Sequence, residues 1–186
     1  MTPLAALWIP IVLGAVLVFV ASSLVHMALP WHKGDYLSVP NEDKVLDALR
    51  PFGIAPGDYF LPKPTTMADM KSPAFIEKTN RGPKIVMTVM PNGMTPMGGL
   101  LVNWFIYLVV VSFVTAYVTG RALGPGAAYL KVFQIAGATG FAAYSLGLWQ
   151  QNIWYRRSLG TTLRSTIDGL MYAMLTAGAF GWLWPR

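Results

Sequence analysis

The chain has 186 residues, of which 54% are apolar and 12% charged. An average soluble domain carries about 25% charged residues, so lipid is the expected solvent for much of this one. Its net charge of +6 comes from Lys and Arg scattered at loop ends, with no dense basic stripe to offer nucleic acid. The absence of cysteine excludes disulfides, thiolate metal sites and cysteine nucleophiles.

A membrane helix needs about 20 mostly apolar residues. Residues 4–29 meet that need and hold no Asp, Glu, Lys or Arg. Their uncharged leading end and long apolar run differ from the charged start and short core of a removable signal peptide, so this segment is expected to stay. Residues 98–119, 128–149 and 163–184 meet the same test. The third span carries only Lys131, placed to snorkel. The fourth carries Arg164 and Asp168 near its start. The fold class predicted is therefore all-α, a bundle of four transmembrane helices. Residues 1–30 form the first helix, 31–97 a small extramembrane polar segment, and 98–186 the other three helices.

Four spans place both termini on one side of the membrane. The other side holds residues 31–97 and the loop before the fourth span, with Lys33, Lys44, Lys84, Arg156, Arg157 and Arg164 near span ends. The positive-inside rule puts that side in the cytoplasm. Trp31, His32, Lys33, Arg156 and Arg157 read as interfacial residues in contact with lipid headgroups.

The polar segment carries eight basic and seven acidic residues, a balance usual for a small folded surface and not for a charged tail. Asn41 is placed to cap a helix that Pro51 stops. Residues 66–79 have helical character, broken by Pro73. Residues 84–90 read KIVMTVM, a β-leaning run that either pairs with the chain near Tyr59, Phe60 and Leu61 or lies extended on the membrane.

Helices in lipid associate through close backbone approach, so small residues mark their contacts. The fourth span repeats Gly169, Ala173, Ala177 and Gly181, and the third carries Ala136 and Gly140. Each set occupies one helical face.

Counting depth along the spans gives the candidate site. His26, Asn103, Tyr144, Ser145 and Asp168 all fall about 5–8 Å below the cytoplasmic interface at 1.5 Å per residue. Arg164 stands one helical turn before Asp168 and can pair with it. An ionisable residue inside a span is a functional candidate by default, and Arg164 and His26 are the expected partners of Asp168. This layer either locks the bundle or forms a ligand pocket. His26 and His32 are the only histidines and lack any known ligand spacing, so neither a metal nor a cofactor is expected. Nucleophile elbows, phosphate loops and dinucleotide fingerprints are also missing.

The stretch Ser23-Leu24-Val25-His26-Met27 through His32-Lys33-Gly34-Asp35-Tyr36, together with Gly147-Leu148-Trp149-Gln150 and Gly178-Ala179-Phe180-Gly181-Trp182-Leu183-Trp184-Pro185, resembles a family of bacterial four-helix inner-membrane proteins with no assigned activity. The resemblance implies a multi-pass location in the bacterial inner membrane and nothing about mechanism. The leading functional expectation is a non-catalytic accessory or scaffold subunit that docks a partner protein through residues 31–97. A small oligomeric transporter or channel comes next, with a membrane enzyme using His26 and Asp168 on a lipid-soluble substrate as a third reading. The expected partners are the bilayer and either another protein or further copies of the chain.

Overall fold

The computed structural model describes all residues 1–186 and is mostly helical. It divides into two compact units, one formed by residues 1–37 and 96–186, the other by residues 38–95. Residues 31–37, read from the sequence as part of the polar segment, thus cluster with the long helices.

The first unit begins with a 3-10 turn, Leu4–Leu7, leading into α1 (Trp8–Ser23). Pro10 lies in the first turn of α1, where its missing N–H leaves no hydrogen bond unmade. The helix then widens into a π turn, Leu24–Ala28, closed by the Leu29 N–H on the Leu24 carbonyl at 3.1 Å. Leu29 is extended, and Pro30–His32 form a 3-10 turn that doubles the chain back.

In the second unit α2 (Glu42–Leu49) follows Asn41. Asn41 sits in the left-handed region at φ 53° and makes no side-chain cap, so its service to the helix is the turn and not a hydrogen bond. Strand β1 (Gly57–Leu61) pairs antiparallel with β2 (Ile85–Val89), with Tyr59 opposite Met87. Between them lie α3 (Met67–Met70), closed by a reciprocal Thr66–Asp69 capping box, and α4 (Pro73–Arg81). Pro73 does not break a helix as the sequence suggested. It starts α4, where proline is tolerated, with Ser72 capping the Phe75 N–H at 3.2 Å.

The first unit resumes with α5 (Met97–Ala122), α6 (Tyr129–Ser145), the short α7 (Trp149–Tyr155) and α8 (Leu159–Trp182). Helix α6 packs on α8, α8 on α1, α1 on α5 and α5 on α6. The small residues mark the tightest approaches. A Cβ added at Gly140 would lie 3.4 Å from the Ala173 backbone, and one at Gly14 would lie 3.3 Å from Ser112 Oγ. Two buried layers follow: Leu7, Ala116, Val132, Ala136, Ala177 and Phe180 at one level, and Ala15, Val18, Leu108, Tyr144 and Tyr172 at the other.

Two helices are long and apolar enough to cross a membrane, Leu4–Ala28 and α5. Only 28% and 17% of their most apolar windows are buried, whereas the core helix of a soluble protein would be largely covered. Helix α6 is shorter, and α8 interrupts its apolar run with Arg164, Asp168 and several hydroxyls.

The termini of the first unit are tied together at the end away from Asp168. Thr2 N–H and Oγ1 donate to the Gly120 and Leu123 carbonyls at 2.7 and 3.0 Å, and Trp184 Nε1 donates to the Gly124 carbonyl at 3.0 Å.

Candidate functional site

The turns after α1 build the site. Because the π turn adds a residue to one helical turn, it shifts the face on which the following side chains emerge. His26 lies on it, and its Nδ1 rests 3.0 Å from the Ser22 carbonyl. A carbonyl only accepts, so Nδ1 carries the proton of this contact. The 3-10 turn then folds His32 back until its ring stacks on that of His26, with centroids 4.2 Å apart.

Asp168, on α8, is buried. Its Oδ1 accepts a 3.0 Å hydrogen bond from Trp31 Nε1, and its Oδ2 lies 2.9 Å from His32 Nε2. That second contact is close, but the ring N–H axis does not run to the oxygen. Nε2 of His32 is therefore buried with no hydrogen-bond partner. The other ring nitrogen, Nδ1, is 2.7 Å from Asp35 Oδ2. Asp35 in turn accepts from Arg164 Nε at 2.8 Å. Burial alone would raise the Asp35 carboxyl, but the hydrogen bonds and charges of His32 and Arg164 outweigh it and hold the group below its ordinary value of 3.8.

The expected pairing of Asp168 with Arg164 does not form. Arg164 reaches past the carboxylate on its own helix to Asp35, and Asp168 takes Trp31 and His32 instead. His32, read from the sequence as a headgroup contact, belongs to the site, with its side chain only 15% exposed; Trp31 reaches the site through its indole N–H while the residue stays exposed, as a headgroup contact would be. Lys33 and Arg156 remain on the exposed surface, and Arg157 is half-buried. Asn103 is exposed and takes no part in the cluster. Ser145 is buried behind the site, where its hydroxyl contacts the Thr166 carbonyl at 3.4 Å.

His26 and Asp168 line the polar end of a cavity of about 560 Å³. Trp104, Tyr107, Tyr144 and Tyr172 supply its aromatic wall, with Leu101 and Leu148 among its aliphatic lining. Trp104 is fixed by a 2.9 Å hydrogen bond from its Nε1 to Ser22 Oγ and stacks on Tyr107. The hydroxyl of Tyr172 is buried without a hydrogen-bond partner in the chain, and that of Tyr144 is buried beside the Thr176 hydroxyl. An apolar chamber with a few convergent polar groups is the usual form of a small-molecule site.

Sequence reasoning named His26, Tyr144 and Asp168 but missed Asp35, the inward place of His32 and the hydrogen bond from Trp31 to Asp168. The one available signal was the run Pro30 to Asp35, where a proline turn places His32 and Asp35 three residues apart. Comparison with family models, curated proteins and solved structures finds no match for this chain.

Proposed function

We propose that this protein is a four-span bacterial inner-membrane protein that binds an amphipathic, lipid-soluble molecule in the cavity bounded by α1, α5, α6 and α8. In this reading α6 and α8 also cross the bilayer. Their tight packing against α1 and α5 supports it, because neighbouring helices cover the polar groups that make α8 a poor span on its own. Residues 31–97 and the loop at Arg156 and Arg157 lie on the cytoplasmic side.

The observation that carries the reading is one aromatic-walled chamber of about 560 Å³ with a carboxylate and an imidazole, Asp168 and His26, at its polar end. A ligand carrying a hydroxyl, carbonyl or similar head would meet His26 and Asp168 while its apolar body fills the chamber. His26 and Asp168 also provide an acid and a base at the polar end, which keeps the membrane-enzyme reading within the same site.

Organic extraction of the protein purified in gentle detergent, followed by mass spectrometry, tests this. A defined amphiphile should co-purify with the wild type and decline in Leu101→Trp, which fills the chamber. Recovery of only bulk membrane lipids, in bulk proportions and unchanged by Leu101→Trp, would contradict it.

The folded polar unit supports a second reading. Its groove of about 490 Å³, lined by Phe60, Met70, Phe75 and Ile76, suits an accessory subunit that docks a partner through residues 31–97.

A further inference from the structure

We propose that His26, His32 and Asp168 form a binding site for one divalent first-row transition-metal ion. The inference goes beyond ligand binding in the chamber and does not depend on it.

One donor atom from each of the three residues lies within 4.8 Å of the other two. Proximity alone would be weak, and the hydrogen bonds behind these residues decide the matter. His26 Nδ1 is occupied by the Ser22 carbonyl, so the neutral ring presents its lone pair at Nε2. His32 Nδ1 is occupied by Asp35, which leaves the lone pair of a neutral ring at Nε2 again. Oδ1 of Asp168 is occupied by Trp31 Nε1, which leaves Oδ2. Each residue thus has its outer atom bound to a carbonyl, a carboxylate or an indole and its inner atom free. Metal-binding histidines have this arrangement, with the second ring N–H held by a carboxylate or backbone carbonyl.

The 2.9 Å between His32 Nε2 and Asp168 Oδ2 points the same way. With Nδ1 protonated for Asp35, the neutral ring leaves Nε2 an unprotonated acceptor beside a carboxylate oxygen. Two acceptors at that distance repel unless a cation lies between them. A proton on Nε2 fits poorly, because the N–H axis misses the oxygen and Nε2 is left unpartnered. An ion on the Nε2 lone-pair axis, off the straight line from Nε2 to Oδ2, fits better. Two donors each about 2.1 Å from one ion and 2.9 Å apart subtend an angle of roughly 90°, the angle of adjacent ligands in five- or six-coordinate sites. The His26 ring stacks nearly parallel on His32, so to share the ion it swings out of the stack and gives up its Ser22 contact, a movement its exposed place on the π turn permits.

Charge supports a cation too. Asp35 and Arg164 neutralise each other, so with neutral imidazoles the cluster carries the single negative charge of Asp168. Two imidazoles and one carboxylate suit iron, manganese, cobalt or zinc in the divalent state better than magnesium or calcium, which prefer oxygen donors. Three protein ligands leave positions open, and His26 and Asp168 both face the cavity.

The test uses full-length protein with a tag free of histidine, stripped with chelator and titrated with Co²⁺. The wild type should bind one equivalent and develop visible d–d absorption that Zn²⁺ displaces. His26→Ala and Asp168→Asn should lose at least tenfold in affinity and lose the spectrum. Asp35→Asn, which keeps all three ligands but takes the charge from the acceptor of His32 Nδ1, should weaken binding by 10–100-fold. Lys33→Ala, on the exposed surface nearby, should bind as the wild type does. If Asp168→Asn fails to fold, His26→Ala decides, because the His26 ring lies on an exposed stretch and is the least needed for packing. Wild-type protein that takes up no Co²⁺ at micromolar concentration, or a His26→Ala variant that binds with unchanged spectrum and affinity, would overturn the proposal. Neither result would bear on whether an amphiphile occupies the chamber.

Discussion

The indole of Trp31 donates a 3.0 Å hydrogen bond to the buried carboxylate of Asp168 across 137 positions of sequence. It joins the turn after the first helix to the middle of the polar face of the last one. Trp31→Phe keeps the ring and removes the donor. A hydrogen bond to a charged group contributes about 1.5–3 kcal/mol, so thermal unfolding in detergent should show a loss of that size. Combining it with Asp168→Asn should cost less than the sum of the two single changes, because the two share one interaction.

Arg164 and Asp35 form the second such tie. Arg164→Gln leaves a nearly buried carboxylate, 8% exposed, without its cation. Removing one partner of a buried pair costs about 3–5 kcal/mol; the guanidinium is 27% exposed, so the lower end of that range is expected. Asp35→Asn in the Arg164→Gln background should restore part of the loss, measured by the same unfolding assay.

The depressed Asp35 carboxyl sets a pH dependence with a definite sign. A folded value below the unfolded one contributes stability that is complete above the unfolded value and is lost as pH falls through the folded one. The stability gap between wild type and Asp35→Asn should stay level from about pH 7 down to about pH 4.5, then close at lower pH. A gap that widens on acidification would contradict the observed pairing.

Helix packing is tested at two glycines of α8. A Cβ at Gly169 would collide with Ser145 Oγ and crowd Tyr144 Cβ at 3.2 Å, whereas one at Gly178 would meet nothing within 4 Å. Gly169→Ala should destabilise by about 1–3 kcal/mol. Gly178→Ala should be neutral or slightly stabilising, as alanine is the better helix former.

The lack of cysteine makes the membrane topology directly measurable. Single substitutions Met94→Cys, Pro125→Cys and Arg156→Cys fall on exposed positions. In intact cells, a membrane-impermeant maleimide should label Pro125→Cys, and should label the other two only after lysis. The same labelling from one side at all three positions would exclude four spans.

Particular residues show what was legible in the sequence and what was not. The apolar runs of α1 and α5 are continuous, so composition alone located them. The glycine and alanine repeat of α8 marked a close-packing face without naming its partner, and the structure sets α8 most closely against α6. The β-leaning run at Ile85–Val89 found its partner at Tyr59–Leu61, since both are rich in β-branched or aromatic residues in a segment with few other strand formers. Depth counting placed Asn103 and Asp168 at one level, but depth says nothing of the direction in which a side chain leaves its helix. Asn103 leaves toward the exposed face, while its neighbour Trp104 turns inward to Ser22. The site itself depends on a π turn followed by an extended residue and a proline turn. No local pattern announces that a chain leaving a long apolar helix will double back, so His32 read as a surface residue and Asp35 was passed over.

Native mass spectrometry of the protein released from its own membrane in gentle detergent tests the central claim most directly. The account predicts the chain with one retained adduct on the order of a few hundred daltons, a size suited to the chamber, and loss of that adduct in Leu101→Trp. A chain that carries no small adduct in either form, or one held in constant ratio by a foreign subunit, would contradict it.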